Sequence, residues 1–258
     1  MPCVVEIEVL ETRGSTPCAA GARMWVSETE TRGTIGGGRL EYRAIERARA
    51  MLAAGKARDE GTVELGERFG QSCGGAVRLR FSLREDFPQS QAPAYDVVLY
   101  GAGHVGKEVA RICERLPCRL LWVDPRAEMF PSEVAPNVRV RIAPEPDATV
   151  AEAPAGAYVL VMTHSHALDL AIVERWLRRG DFAFLGLIGS QTKAAKFQAA
   201  LARKGLAPEA IARLVCPVGL FKAGKHPAEV AVSALAQVLE RVHRAVGRPL
   251  ESTVTLPH

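Results

Sequence analysis

Apolar and polar positions alternate at the start of the chain. CVVEIEVL, residues 3–10, is strand-like. ARMWV at 22–26 and VRLRFSL at 77–83 read as strands on the same grounds. Between them LEYRAIERARAMLAAG, 40–55, places apolar residues every three or four positions, which predicts a helix with Gly55 as its C-cap. The rhythm stops at LREDFPQSQAPAY, 83–95, which holds two prolines and almost no apolar periodicity. The expected division is a domain over 1–85, a linker over 86–95 and a second domain over 96–258.

The second part alternates strand and helix. Strands are expected at Asp96 to Tyr100, Leu120 to Asp124, Val138 to Ile142, Tyr158 to Met162 and Phe182 to Ile188. Helices are expected at Lys107 to Leu116, Leu168 to Arg178, Thr192 to Lys204 and from Pro227 to about Val246. Strands separated by helical crossovers form parallel sheets. The fold class is therefore α/β: a small N-terminal α+β domain followed by a Rossmann-like, doubly wound parallel-sheet domain.

Composition narrows the function classes. The 258 residues are 48% hydrophobic and 24% charged, which excludes long disorder. No run approaches the roughly 18 apolar residues of a membrane span, and MPCVVEIEVLETRG lacks a basic n-region before an apolar core. A cytoplasmic protein without membrane partners is expected. A net charge of +4 without a clustered basic stripe, and an aromatic content of 6%, argue against nucleic acid. The six cysteines include no CxxC pair, which argues against a disulfide framework or a structural zinc site.

Three glycine clusters carry the candidate chemistry: TIGGGRLE at 34–41, GQSCGG at 70–75 and GAGHVG at 101–106. GAGHVG follows an apolar strand and opens a helix, the context in which such a loop binds a diphosphate. Gly101 allows the tight turn, Gly103 the close approach of phosphate and Gly106 close helix–strand packing, with His104 inside the loop. Asp124 ends the next strand, where a ribose-binding carboxylate sits, and Arg126 is placed to accept an additional phosphate, with a plain surface arginine as the alternative. His164, His166 and Asp169 follow another strand and suit an acid–base or ligand-facing role, with helix capping by Ser165 or His166 as the plain alternative. Gly189 and Ser190 open a further helix, with Lys193 in its first turn, an arrangement that favours an anion.

Eight stretches occur in one order: GSTPCAAGARMWV, GTIGGGRLE, GQSCGG, GAGHVG, VDPR, THSHALDL, IGSQTK and HPAEVAVSALA. Together they resemble the XdhC family, the accessory proteins of xanthine dehydrogenase maturation, over essentially the whole chain. The resemblance implies a chaperone without turnover of its own. Such a protein binds molybdenum cofactor (molybdopterin), holds it for sulfuration and delivers it to a xanthine dehydrogenase-like molybdenum hydroxylase. The implied partners are that client and a cysteine desulfurase, and the implied state is a homodimer. Two positions depart from the family's pattern. Ser72-Cys73-Gly74-Gly75 stands where CCGG is frequent, and Cys18 stands where arginine is common.

A carrier of this cofactor must grip a flat heterocycle, a phosphate and a soft metal. Gly36, Gly37 and Gly38 before a helix, and Gly74 and Gly75 around Cys73, offer backbone N–H groups and room for a ring. Cys73 is the candidate metal ligand or sulfur relay, with burial in a turn as the alternative. Gln71 is a candidate donor to the pterin and Glu41 a candidate acceptor, although Glu41 also suits the start of the helix. Whether the GAGHVG loop holds the cofactor, a separate nucleotide or NAD(P) stays open. The alternative function is an NAD(P)-dependent oxidoreductase built on GAGHVG and the two histidines.

Overall fold

The computed structural model describes residues 3–65, 75–88, 93–245 and 247. The chain divides into two compact units, Met1–Ser90 and Gln91–His258.

The first unit is built on β1 (Val4–Arg13), whose alternation places Val5, Ile7 and Val9 in the core. It lies at the centre of a five-stranded sheet. β2 (Arg23–Val26) pairs with one side and β5 (Ala76–Arg84) with the other, both antiparallel. The short β3 (Thr31–Gly33) and the charged β4 (Arg58–Glu64) form the edges. α1 (Gly38–Ala54) buries Leu40, Ala44, Ala48 and Met51, an i, i+4, i+8, i+11 stripe, against the apolar face. It stops at Gly55, whose φ of 62° is left-handed backbone and whose N–H donates to Leu52 O, 3.2 Å away. The other face carries ion pairs: Arg84 meets Glu6 at 2.7 Å and Arg23 meets Glu8 at 2.8 Å.

The second unit is a six-stranded parallel sheet in the order β11-β10-β9-β6-β7-β8. Its strands are β6 (Tyr95–Tyr100), β7 (Cys118–Asp124), β8 (Val138–Ile142), β9 (Tyr158–Val161), β10 (Phe184–Leu187) and β11 (Leu214–Val215). α3 (His166–Arg179) and α4 (Gln191–Arg203) bring Ile172, Trp176 and Phe197 to a core on one face, with the single turn α5 (Pro208–Ile211) alongside. α2 (His104–Cys113) and α6 (Pro227–Ala245) cover the other face through Val109, Ala110, Leu235 and Val238. Trp176, fully buried, donates from Nε1 to Tyr100 Oη at 3.3 Å. The direction of winding reverses between β6 and β9, so the loops after these two strands border the crevice where open α/β sheets bind ligands.

The Rossmann-like class is the one the pattern predicts. β3, β4, β11 and α5 were not anticipated: three are short, and β4 is a charged edge strand without an apolar face. α2 begins at His104, three residues before the expected start, and Tyr95 belongs to β6 although it falls within the expected linker. Among the described residues no helix is long and apolar enough to cross a membrane.

Candidate functional site

In the first unit the chain leaves β3 through Gly36, Gly37 and Gly38, at φ 104°, 76° and 64°, all left-handed backbone. A side chain at Gly36 would place its Cβ 2.5 Å from Pro17 O, and one at Gly75 would stand 2.5 Å from Ser15 O and against Arg13 O. Both glycines therefore close on the segment around the end of β1 and the turn towards β2, bringing the ends of two glycine clusters to one end of the sheet's strands. Cys18 lies in this turn but packs on the core, and its burial pushes the thiol pKa up, away from the reactive thiolate. Gln71, Cys73 and Gly74 lie outside the described residues.

Glu41 turns back into the glycine turn. Its Oε2 accepts from Thr34 Oγ1 at 2.5 Å, Ile35 N at 3.1 Å and Gly37 N at 3.1 Å. The cradle of backbone donors expected to receive an anion already holds one, supplied by the chain itself. Partial burial pushes this carboxyl up, but the three donated bonds outweigh it and the pKa falls below its ordinary 4.5. A lowered folded-state value means stability that is present above 4.5 and lost as pH falls through the folded pKa. Glu41→Ala is expected to cost about 1 kcal/mol at neutral pH, as the loss of a helix-terminal cap does. The gap between variant and wild type in urea midpoints should narrow from pH 7 to pH 3; an equal gap at both would show that the carboxylate is not its source.

In the second unit the GAGHVG loop has three distinct glycine environments. Gly101, at φ 117°, is so close to the loop after β9 that a Cβ would run into the Met162 carbonyl. A Cβ at Gly106 would run into the Gly101 carbonyl, which accepts from Trp122 Nε1 at 3.0 Å. Gly103 faces open space, with nothing within 4 Å of a Cβ, and no side chain caps the α2 N-terminus that it begins. His104 is exposed on the first turn.

Asp124 is at the expected strand end, but its side chain is fully buried. Oδ2 accepts from Ala102 N at 2.7 Å and Arg126 Nη2 at 3.0 Å; Oδ1 accepts from Arg126 N at 3.0 Å and Arg126 Nε at 2.9 Å. Burial pushes the carboxyl up, and these bonds, led by the Arg126 side chain, hold it below its ordinary value.

Beyond β9, Asp169 does not meet either histidine. Its buried carboxylate accepts from Thr163 N (3.0 Å), Thr163 Oγ1 (2.7 Å) and Lys193 Nζ (2.7 Å). Lys193 also donates to Ile188 O at 2.8 Å, so its ammonium is spent inside the protein rather than offered to an anion. His164 and His166 are exposed, His166 edge-on to Phe197 with ring centroids 6.5 Å apart, and Ser165 caps α3 by accepting from Leu168 N. Ser190 caps α4 by accepting from Lys193 N, and Gly189 is hemmed in by the Lys193 side chain and Cys216 Sγ. The Asp169–Lys193 pair, 24 residues apart, has no local sequence signal. Among the described residues no group of three or more His, Cys, Asp or Glu side chains is arranged to hold a metal ion.

Residues 97–238 match the model of the XdhC Rossmann domain, more than half of the chain. The chain belongs to the XdhC family. Residues 3–66 match the XdhC and CoxI family. The XdhC Rossmann match thus contains GAGHVG, the Asp124–Arg126 pair and the Asp169–Lys193 pair, and the N-terminal match contains Gly36 to Gly38 and Glu41. The Escherichia coli K12 protein named "Uncharacterized protein YqeB" is 30% identical over 249 residues, covering 93% of this chain and 44% of its own length. This XdhC chain therefore spans under half of that relative. A solved structure described as a xanthine dehydrogenase from Bacillus halodurans superposes with a TM-score of 0.76 at 16% identity, covering 99% of this chain and 94% of that one. At that identity the likeness is one of fold.

Proposed function

We propose that this protein is an accessory factor that binds molybdenum cofactor and hands it to a xanthine dehydrogenase-like molybdenum hydroxylase. The observation that carries the reading is the match of both units, in order, to XdhC family models that enclose two of the three glycine clusters, TIGGGRLE and GAGHVG. The Bacillus halodurans structure of the same fold is described as a xanthine dehydrogenase, which supports the reading. The cofactor is cargo here, and its phosphate suits the open ground before α2, where Gly103 leaves space and the uncapped N–H groups present positive partial charge. The Glu41-filled turn suits the uncharged, hydrogen-bonding edge of a pterin better than a second anion. Cys73 is the proposed soft ligand or sulfur relay. A cysteine desulfurase as sulfur donor and a cytoplasmic homodimer complete the proposal. The oxidoreductase alternative finds less support: neither histidine is backed by Asp169, whose carboxylate is taken by Thr163 and Lys193.

The test is to purify the protein from cells that make molybdenum cofactor, then measure pterin fluorescence after oxidation, bound molybdenum and activation of a cofactor-free hydroxylase. Near-stoichiometric pterin and client activation are expected. Cys73→Ser should come out folded with its molybdenum reduced at least tenfold, since a hydroxyl is a poor soft-metal ligand. Protein free of pterin and unable to activate the client would overturn the reading. A variant that keeps its full molybdenum load would remove Cys73 from it.

A further inference from the structure

Resting on the reading that the GAGHVG crevice takes a ligand, we propose that Arg126 sets its specificity. The residue closes Asp124 and so makes the crevice a site for a phosphate monoester rather than for a ribose diol.

In a dinucleotide-binding fold the carboxylate ending the second strand accepts hydrogen bonds from both ribose hydroxyls, and an arginine nearby instead accommodates a phosphate on that ribose. Here the carboxylate has the expected position and no free edge. Ala102 N and the backbone and side chain of Arg126 donate to its two oxygens at 2.7–3.0 Å, and none of the side chain reaches solvent. A diol would have to displace a two-point guanidinium–carboxylate pair to be recognised. The bond to Ala102 also ties Asp124 into the glycine loop itself, so rotating the carboxylate outwards would unseat the loop.

The same pairing changes the electrostatics. An unpaired Asp124 beside the start of α2 would repel a phosphate; paired, it is neutralised, and the positive helix end acts unopposed. Arg126 spends Nε and Nη2 on the pair, while 31% of its side chain stays exposed, so the residue is accessible from solvent. The shared ligand chemistry is a dianionic phosphate monoester. It has two sources: the phosphate of a pterin monophosphate, and the 2′-phosphate of NADP(H).

The full chain is titrated with NADH and with NADPH by cofactor fluorescence, and pterin recovered from cofactor-making cells is measured in parallel for wild type, Arg126→Ala and Arg126→Lys. Wild type is expected to ignore NADH while holding one of the two phosphate-bearing ligands. Arg126→Ala should weaken that ligand at least tenfold and gain NADH binding, because Asp124 is released. Arg126→Lys keeps the charge but loses the two-point clamp and should fall between, which preserves the test if the alanine variant fails to fold. NADPH bound without pterin identifies the dinucleotide as the source and removes the carrier reading alone. Pterin lost from the variants, with no NADPH bound, identifies the pterin phosphate. Wild type binding NADH as tightly as NADPH, wild type holding neither ligand, or variants with unchanged ligand retention overturn the proposal. Pterin retained equally by all three proteins does so while leaving the carrier reading standing.

Discussion

Asp169→Ala should lower the stability of the second unit by about 3–5 kcal/mol, the usual cost of removing one partner from a buried ion pair. The carboxylate is fully buried and Lys193 is 10% exposed, so the ammonium left behind has Ile188 O as its named partner and little access to water. The Thr163 N–H and hydroxyl lose their acceptor as well. α3 and α4, which carry the two charges, should show the largest loss of amide protection in hydrogen exchange. Lys193→Met alone should also be costly, because it leaves an unpaired buried carboxylate. The double variant Asp169→Leu/Lys193→Met should recover much of the loss, since no uncompensated charge remains. A single variant costing under about 1 kcal/mol, with additive effects in the cycle, would show that the pair is solvated and structurally idle.

Two valines in one glycine loop should have opposite effects. Gly101→Val requires an L side chain at φ 117° and drives its Cβ into the Met162 carbonyl, so backbone must move. Strain of this kind costs about 1–3 kcal/mol before the clash is counted, and a fall of at least about 3 kcal/mol is expected. Gly103→Val occupies ordinary extended backbone, φ −73°, with open space around it, and should change stability by less than about 1 kcal/mol. That open space is where a phosphate would approach the α2 amides, so the stable Gly103→Val protein should lose bound ligand at least tenfold. Thermal unfolding and pterin content on the same preparations separate the two. Full ligand retention in Gly103→Val would make the loop purely structural.

What could be read from the chain followed from how strongly each element is patterned. The alternation in CVVEIEVL and the three-to-four spacing in LEYRAIERARAMLAAG survive in the structure because one face of each must be buried. β4 escaped because RDEGTVE lies at a sheet edge and offers Val63 alone to the core, and β11 because two residues carry no period. GAGHVG was legible in the steric roles of Gly101 and Gly106, since a missing Cβ is a property of the sequence. The uses of charge were not. Nothing local shows that Glu41 fills its own glycine turn, that Arg126 closes Asp124, or that Lys193 reaches Asp169 instead of a ligand. Each depends on where a flexible side chain lands once distant backbone has been placed.

The order of strands in the first sheet bears on how the chain matures. Within this sheet β1 comes earliest in the chain, yet it occupies the middle, and one of its two neighbours, β5, comes last: Val4 faces Arg84. Closing a pairing of such separation is entropically slow, and it cannot begin until nearly the whole unit has left the ribosome. Until then the Val5, Ile7 and Val9 row has only β2 and α1 for cover. The second unit starts from β6, whose partner β7 follows after a single short helix, so its nucleus assembles from neighbours. Nascent chains of this protein therefore pass through an interval with an open sheet edge in the first unit, the species most exposed to aggregation or to capture by general folding factors.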